Sequence, residues 1–244
     1  MKLTFLGTKG EIEPENRKHK KNTSTLISFL GKNIMIDCGY SWEEEVWNMN
    51  PHAIVLTHAH PDHAFGLKNG SPSPVWASEV TWKLIRHYPI ESEKRHVIHS
   101  KKSFSIHDIH FRPFEVLHSL NAPAMGFRIQ AGKAGIFYVP DVAWIPERKK
   151  AFKNISVYIG DGAAITRNMV RKRKGGEEIF GHANIRQQLT WCEKEHVPKM
   201  IVTHCGSDIV KNEKEAKKKI YKLAEDRGIE VEIASDGQEM ILRK

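Results

Sequence analysis

The sequence predicts an α/β fold in which sheets with antiparallel character carry helices on their surfaces. Short apolar runs rich in β-branched residues occur along the whole chain, and fewer, longer amphipathic segments are interspersed among them. Meanders of strands come first and the pattern recurs in the second half, which favours layered sheets over a doubly wound parallel sheet. With 244 residues the chain is long enough for one sizeable domain or for two half-domains that share a core.

The apolar runs define the predicted strands, because each is short and is bounded by polar or turn-forming residues. Several are followed within two residues by histidine or aspartate, at positions where the loops of a layered sheet present functional side chains. In chain order the predicted strands are Leu3–Leu6, Thr25–Leu30, Ile34–Ile36, Ala53–Leu56, Phe111–Val116, Gly126–Ile129, Ile136–Val139, Val157–Ile159, Met200–Val202, Val231–Ile233 and Met240–Leu242.

Three segments have the periodicity of amphipathic helices: Glu79–Arg86, Ile185–Glu195 and Asn212–Asp226. In the last of these, apolar residues recur every three or four positions while lysine and glutamate cover the opposite face. Gly228 follows it and is predicted to end the helix.

Two segments are polar and rich in charge or glycine, and both are predicted to be mobile loops. They are Lys9–Asn22 and Thr166–Gly176. The second contains four consecutive basic residues, Arg171, Lys172, Arg173 and Lys174.

The overall charge is positive, with 38 lysine and arginine residues against 29 aspartate and glutamate residues and a formal charge of +9. Such an excess attracts phosphate-bearing partners through the field of the whole molecule. A lysine-rich surface without such a partner is the alternative interpretation. Histidine is abundant, with 14 residues, and several lie at the spacing of metal ligands.

Neither a membrane span nor a disulfide framework is expected. No stretch approaches the roughly 20 apolar residues that a spanning helix needs. The apolar run in Met1–Gly7 is too short for a signal peptide and is predicted as the first strand. Cys38, Cys192 and Cys205 are scattered and odd in number, so the predicted compartment is the reducing cytoplasm.

The strongest chemical signal is the segment His58-Ala59-His60-Pro61-Asp62-His63, which follows the predicted strand Ala53–Leu56 after Thr57. Two imidazoles one residue apart in an extended turn can converge on one ion. Pro61 bends the chain and directs Asp62 and His63 to a second point nearby. Imidazole and carboxylate ligands together suit zinc, manganese or iron. A lone histidine would more often be structural, but three histidines and an aspartate within six residues predict a metal site.

This H-x-H-x-D-H arrangement resembles the signature of the metallo-β-lactamase superfamily. The resemblance implies a four-layer αββα sandwich of two mixed sheets with helices outside. It also implies one domain over residues 1–244, built from two pseudo-symmetric halves of roughly residues 1–120 and 121–244. Dimers are common in the family, so a homodimer is compatible with the resemblance.

The family has three further ligands, each after a strand, and the sequence offers a candidate for each in the same order. They are His118 after Phe111–Val116, Asp141 after Ile136–Val139, and His204 after Met200–Val202. Taken singly, His118 or Asp141 could also have a capping or surface role. Their order and their position at strand ends favour metal binding.

The resemblance implies two divalent metal ions, each with three or four protein ligands and a vacant position, as a catalytic site needs. Zinc is the expected metal, and manganese or iron would also fit. Asp62 would in addition orient an attacking hydroxide that bridges the two ions. The implied ligands of the first ion are His58, His60 and His118. Those of the second ion are Asp62, His63 and His204, and Asp141 would bridge the two ions.

Two other aspartates have a supporting interpretation. Asp37 matches an early family aspartate, which implies that it supports the metal-binding loop through hydrogen bonds rather than by binding metal. Asp236, in Ser235-Asp236-Gly237, is either another support or a turn residue, and the turn is the favoured interpretation.

Two features indicate the phosphodiesterase branch of the family, which includes nucleases similar to tRNase Z. The bridging position holds Asp141, whereas many true β-lactamases have cysteine there. Gly181-His182-Ala183-Asn184 resembles the G-H-x-S segment of that branch, with asparagine in place of the usual serine. The resemblance implies that His182 donates a proton to the leaving group or steadies the phosphate. The alternative for His182 is a polar residue at a helix start.

A protruding tRNA-gripping arm, as in the tRNase Z proteins, does not fit the short segment Ala64–Val75. The predicted function is therefore a phosphodiesterase acting on a small (cyclic) phosphodiester or on an RNA or DNA end. Arg171, Lys172, Arg173 and Lys174 are predicted to hold phosphate oxygens, or else to form a solvated charge run. The alternative functions are a thiolester or lactone hydrolase on the same fold and a non-catalytic metal-binding subunit.

Overall fold

The computed structural model describes residues 1–242, which contain two seven-stranded sheets and a separate two-stranded hairpin. Alternation of buried and half-exposed residues, as in Lys2–Gly7, lets one face of a strand pack on the core. In chain order the strands are β1 (Lys2–Gly7), β2 (Ser24–Phe29), β3 (Lys32–Ile36), β4 (Ala53–Val55), β5 (Val75–Ser78), β6 (Arg95–Ile98), β7 (Phe104–Ile106), β8 (Ile109–Val116), β9 (Ala124–Ala131), β10 (Ala134–Tyr138), β11 (Val157–Asp161), β12 (Met169–Lys172), β13 (Ile179–His182), β14 (Lys199–Thr203), β15 (Glu230–Ile233) and β16 (Gln238–Ile241).

The α-helices are short except for three, and those three coincide with the predicted helical segments. A side-chain cap starts each of the three: Ser78, Asn184 and Asn212 each accept a hydrogen bond from a backbone N–H of the first turn. Gly228 follows the last long helix with a φ of 62°, as predicted for a helix stop. The helices are α1 (Glu45–Met49), α2 (Pro61–Ala64), α3 (Glu79–Leu84), α4 (Arg148–Ala151), α5 (Ile185–Lys194), α6 (Ser207–Val210) and α7 (Glu213–Glu225).

Both sheets are mixed and share one plan. The first has the order β16-β1-β2-β3-β4-β5-β6, with antiparallel pairing up to β3 and parallel pairing from β3 to β6. The second has the order β15-β14-β11-β10-β9-β8-β7, antiparallel from β7 to β10 and parallel beyond β10. The carboxyl ends of the parallel strands of one sheet lie at one edge, which is where loops carry functional groups.

Three apolar layers hold the sheets and helices together. The inner faces of the two sheets share one core, in which Phe5 and Ile36 of the first sheet join Phe127 and Tyr138 of the second. The outer face of the second sheet packs on α4, α5 and α7, and the outer face of the first packs on α1 and α3. The order helix, sheet, sheet, helix confirms the predicted αββα sandwich.

The shared inner core supports our proposal that the chain is a single domain. The chain passes from the first sheet to the second between Ile98 and Phe104, earlier than residue 120, where we placed the division between the halves. β16 then returns to the first sheet and pairs with β1. Each half therefore contributes strands to the inner core.

Three of the strands that the sequence did not predict are very short. β5, β6 and β7 have three or four residues each. The prediction of Thr166–Gly176 as a loop was wrong in part, because β12 lies within it and pairs with β13 from Met169 to Lys172. Cross-strand hydrogen bonds, rather than burial, order this hairpin, so its sequence lacks an apolar strand pattern.

No helix in residues 1–242 is long and apolar enough to cross a membrane. The predicted loop Lys9–Asn22 has no helix or named strand, but His19 and Asn22 within it are fully buried. Asp236 lies in the turn before β16 and also accepts hydrogen bonds from the backbone N–H groups of Thr8, Lys20 and Lys21. It therefore anchors this loop as well as forming the turn.

Candidate metal centre

The seven candidate ligands come together at the strand ends of the two facing sheets. Two sets of side chains can each place ligand atoms within 4.8 Å of one another, and a third set shares members with them. His118, Asp141 and His204 follow strands directly or after a few residues, whereas Asp62 and His63 lie in α2, the short helix after β4. The first set is His58, His60, His118 and Asp141, and the second is Asp62, His63 and His204.

In the first set, three imidazoles converge. His60 Nδ1 lies 3.0 Å from His58 Nε2 and 3.2 Å from His118 Nε2. Asp141 Oδ2 lies 3.3 Å from Nε2 of both His58 and His118. Three ring nitrogens and one carboxylate oxygen thus surround one point.

The second set adds a carboxylate to two imidazoles. Asp62 Oδ2 lies 3.3 Å from His63 Nε2 and 3.1 Å from His204 Nε2. Asp141 Oδ2 lies 3.2 Å from His63 Nε2. The same Asp141 oxygen therefore contacts both sets, which is the position of a bridging ligand.

Unpaired buried atoms indicate that a cation belongs here. His63 Nε2, Asp141 Oδ1 and His204 Nδ1 are buried without a hydrogen-bond partner among residues 1–242, although the last two are 2.9 Å apart. Leaving buried polar atoms unpaired is costly unless another group satisfies them. Nitrogen and carboxylate donors are those of zinc and similar ions, and the fold family implies divalent metal binding.

The two sets differ in their charge environment. Burial and the neighbouring His63 hold the pKa of His58 well below its usual value, and burial lowers that of His118 to about 4. Burial would also lower the pKa of His63, but Asp62, Asp37 and Asp141 outweigh it and hold that pKa well above its usual value. Burial thus disfavours the charged form of His58 and His118 in the first set, whereas the second set lies in a strongly anionic field.

Asp37 supports the second set rather than lying at its centre. Its Oδ2 accepts a hydrogen bond of 2.8 Å from His63 Nδ1. Thr57 donates its backbone N–H to Oδ1 at 2.7 Å and its hydroxyl to Oδ2 at 2.8 Å. This arrangement fixes the ring so that His63 Nε2 faces Asp62 and Asp141. Asp37 has a φ of 62°, a strained conformation that this hydrogen-bonded position maintains.

His182 lies beside the cluster and is braced by a residue that sequence reasoning missed. Its Nδ1 donates to Asp161 Oδ2 at 2.7 Å, and Asp161 is fully buried at the end of β11. Burial would lower the pKa of His182, but the Asp161 carboxylate outweighs it and raises that pKa. His182 Nε2 has no hydrogen-bond partner within the described chain, so it is free to meet a substrate.

A signal for Asp161 was present in the sequence. It ends the strand Val157–Asp161 and is followed by glycine, much as Asp141 follows a buried strand. Its partner His182 is 21 residues away in the chain, however, and no spacing rule connects an aspartate at a strand end to a histidine in a hairpin.

An open cavity of about 370 Å³ lies over the cluster and brings further residues to it. Arg167 and Met169 enter it from the segment that leads into β12, and Glu11 enters from the opposite loop. Asn184 caps α5 and its side-chain amide donates to the backbone oxygens of Thr166 and Arg167. The start of α5 therefore holds Arg167 close to the metal cluster.

The four predicted substrate-binding residues occupy a different position. Arg171 and Lys172 are exposed at the end of β12, and Arg173 and Lys174 lie in the turn that follows. They are not among the residues that line the cavity. The structure thus separates them from the metal cluster and brings Arg167 to it instead.

Comparisons with known proteins agree with this geometry. Residues 32–205 match the family model of the beta-lactamase superfamily domain. A ribonuclease Z of Methanococcus maripaludis strain C5 is 29% identical over 52% of this chain and 48% of its own length. The chain spans about half the length of the curated relatives it matches.

Solved structures share the fold over nearly the whole chain. The metallo-beta-lactamase fold protein YhfI from Bacillus subtilis superposes with a TM-score of 0.75, at 15% identity and 98% coverage of both chains. A diphosphatase from the PhnP family superposes with a TM-score of 0.73, at 18% identity, covering 99% of this chain and 98% of that one. The chain belongs to the beta-lactamase superfamily, as its H-x-H-x-D-H motif predicted.

Proposed function

We propose that the protein is a metal-dependent phosphodiesterase that acts on an RNA or DNA end or on a small phosphodiester. The observation that carries this proposal is the His182–Asp161 pair beside the metal cluster, in which the buried Asp161 braces His182 and His182 lines the cavity over the cluster. A phosphodiester needs both an activated nucleophile and a proton for its departing oxygen. The metal cluster would activate the nucleophile, and the His182–Asp161 pair would supply the proton.

His58, His60 and His118 would hold one divalent ion, and Asp62, His63 and His204 would hold the other, with Asp141 in contact with both. When bound, the two ions would supply a hydroxide nucleophile and neutralise charge on the phosphoryl oxygens. Zinc fits the nitrogen-rich first set, and manganese or iron is compatible with the carboxylate-rich second set. Asp37 would keep His63 in the orientation that the second ion needs.

His182 is placed to act as the general acid. Its Nδ1–H donates to Asp161, which stabilises the imidazolium and leaves Nε2–H for the departing oxygen. Arg167 provides a guanidinium at the cavity wall, where it can pair with a non-bridging phosphate oxygen. Neither His182 nor Arg167 belongs to the two ligand sets assigned above, so their presence at the cavity favours phosphodiester chemistry over simple metal storage.

The sequence relatives support a nucleic-acid substrate. Ribonuclease Z proteins match parts of this chain at 27% to 36% identity, and the net charge of +9 favours polyanionic partners. We propose RNA or DNA ends as the substrate class. A cytoplasmic location and a homodimer stay predictions.

The test is a metal analysis followed by a substrate comparison. We expect the purified chain, expressed in metal-replete medium, to contain about two transition-metal ions. We expect it to hydrolyse bis-p-nitrophenyl phosphate and an RNA with a 3′ extension.

A fatty-acyl thioester and a lactone serve as the competing substrates, because an activated hydroxide attacks an acyl carbon as readily. Faster turnover of either acyl substrate would replace the proposed phosphodiesterase by the alternative hydrolase. Full metal content without turnover of any substrate would instead support the non-catalytic subunit.

A further inference from the structure

A second concave surface, away from the metal cavity, lies along the outside of α5. We call it the α5 cleft, a cavity of about 330 Å³ bounded by α5, the residues before α4 and the end of α7. Four cations and an exposed indole line most of it. The side chains used below are Trp144, Arg148, Arg186, Thr190, Lys194 and Arg227.

The charge of the α5 cleft is strongly positive and only partly compensated. Arg148 pairs with Glu195 at 3.1 Å, and Arg227 approaches Glu193 at 4.0 Å. Arg186 and Lys194 are exposed and have no acidic partner among residues 1–242. No acidic residue is among those that line the cleft in the described part of the chain. An anion is therefore the complementary ligand.

The free cations are spaced along one helix face. Arg186, Thr190 and Lys194 follow each other at intervals of four residues, which places them in one row. Arg186 and Lys194 are about 12 Å apart along the axis. Because phosphates of a stacked strand recur about every 3.4 Å, this row matches a run of phosphates better than a single one.

An aromatic surface accompanies the cations. The Trp144 side chain is 37% exposed, whereas Trp191 behind it is buried. The guanidinium of Arg148 lies 5.1 Å from the centre of the Trp144 ring and holds that ring in place. An exposed, fixed indole beside a row of cations is what single-stranded nucleic acid uses for base stacking.

The α5 cleft is connected to the metal cavity through short backbone links. The Trp144 carbonyl accepts a 2.9 Å hydrogen bond from the N–H of Leu117, the residue before His118. α5 itself begins three residues after His182. Arg186 of the cleft follows His182 of the metal cavity by four residues, so one strand that contacted both would pass along the start of α5.

We infer that the α5 cleft binds the single-stranded continuation of a nucleic-acid substrate, with phosphates on Arg186 and Lys194 and a base on Trp144. This inference rests on the proposed phosphodiesterase function. It extends that function by assigning a second binding region outside the metal cavity.

The test measures binding of phosphorothioate oligothymidylates, which keep the charge of the backbone and resist cleavage, by fluorescence anisotropy. We expect a ten-nucleotide strand to bind the wild-type protein more tightly than a dinucleotide, which is too short to contact the whole row of cations and the metal cavity together. In the double variant R186E/K194E, affinity for the ten-nucleotide strand should fall roughly tenfold. The slope of the logarithm of the binding constant against the logarithm of the salt concentration should decrease in magnitude by about 1.4, since each lost phosphate contact accounts for about 0.7.

The matched control is K214E/K218E, which changes the net charge by the same amount on exposed lysines of α7 that are outside the cleft. Equal losses in the two double variants would overturn the inference, since they would reveal only the field of the whole molecule. Equal affinity of the wild-type protein for the dinucleotide and the ten-nucleotide strand would overturn it as well. Competition by an acidic decapeptide as strong as by the oligonucleotide would overturn it in favour of a protein partner.

The aromatic part of the inference has its own readout. Trp144→Leu should weaken binding of the ten-nucleotide strand by about tenfold and leave an abasic strand of the same length unaffected. Equal loss on both strands would contradict stacking. Turnover of bis-p-nitrophenyl phosphate by the wild-type protein is measured in parallel, so that a missing cleft and a missing phosphodiesterase activity give different results.

Discussion

The metal cluster and the basic end of the β12–β13 hairpin belong to neighbouring parts of the fold, but their physical settings are opposite. His58, His63 and Asp141 are buried, and Nε2 of each histidine lies within 3.3 Å of Asp141 Oδ2. Arg171 and Lys172 are exposed, and the hairpin offers its own carboxylates to this basic end, with Lys172 3.8 Å from Glu177.

Because of this difference, we expect the metal cluster to determine turnover and the basic end of the hairpin to determine substrate affinity. Charged groups removed from water interact strongly, and loss of one partner leaves the others uncompensated. Exposed ion pairs are worth about 0–1 kcal/mol and are screened by salt. Changes in the cluster should therefore affect turnover at any salt concentration, whereas changes in the basic end should affect substrate affinity and its salt dependence.

The largest expected effect comes from Asp62. Asp62→Ala removes the carboxylate that faces both His63 and His204, so we expect turnover to be abolished. The surrounding strands do not use Asp62 for packing, and the circular dichroism spectrum should be unchanged. Asp226→Ala, an exposed aspartate at the end of α7, is the control. Wild-type turnover in the Asp62 variant would remove this residue from the mechanism.

The next largest effect concerns His182. His182→Ala should lower kcat by about 10²–10⁴-fold on a diester with an alkoxide leaving group and little on a p-nitrophenyl ester. An alkoxide of high pKa needs a proton as it departs, whereas p-nitrophenolate leaves without one.

Steady-state kinetics with both esters, and with the exposed His99→Ala as control, measure this selectivity. Equal loss on both esters would assign His182 to phosphate binding or metal support. No loss on either would return it to a residue at a helix start.

A smaller effect is expected for the residue that braces His182. Asp161→Asn keeps the volume but removes the charge that stabilises the imidazolium, so kcat on the alkoxide diester should fall by about 10–100-fold. The measurement is a double-mutant cycle. If the two residues act as one unit, adding Asp161→Asn to His182→Ala should lower kcat little further. Additive losses would show that Asp161 acts independently of His182. Its carboxylate also accepts hydrogen bonds from the backbone N–H groups of Val142 and Ala163.

The smallest effect is expected at the basic end of the hairpin. Replacing Arg171, Lys172, Arg173 and Lys174 by alanine should raise KM for an oligonucleotide several-fold at low salt and flatten its salt dependence, with kcat unchanged. The control removes four exposed lysines elsewhere, Lys211, Lys214, Lys218 and Lys222. A KM that matches the control would identify the basic end as a solvated surface and would sharpen the contrast with the cluster.

Much of the fold could be predicted because its signals are local. The strands that contain Ile36, Val55 and Phe127 are predicted from their apolar composition. The helices α5 and α7 are predicted from the period of their apolar residues. The strands β5 to β7 lack such a signal because each has only three or four residues, too few to show a strand pattern. The β12–β13 hairpin was not predicted either, because its strands have four residues each and pair with each other.

The chain by itself determined which residues could serve as metal ligands, since the spacing of His58, His60, Asp62 and His63 directs them to two nearby points. Only the tertiary structure decided what surrounds them. It joined Asp161 to His182, brought Arg167 to the cavity in place of Arg171, and assembled the α5 cleft from three separate helical regions. The physical reason is that hydrogen bonds and burial depend on which strand ends meet across the two sheets, and that meeting is encoded by the whole core rather than by any local pattern.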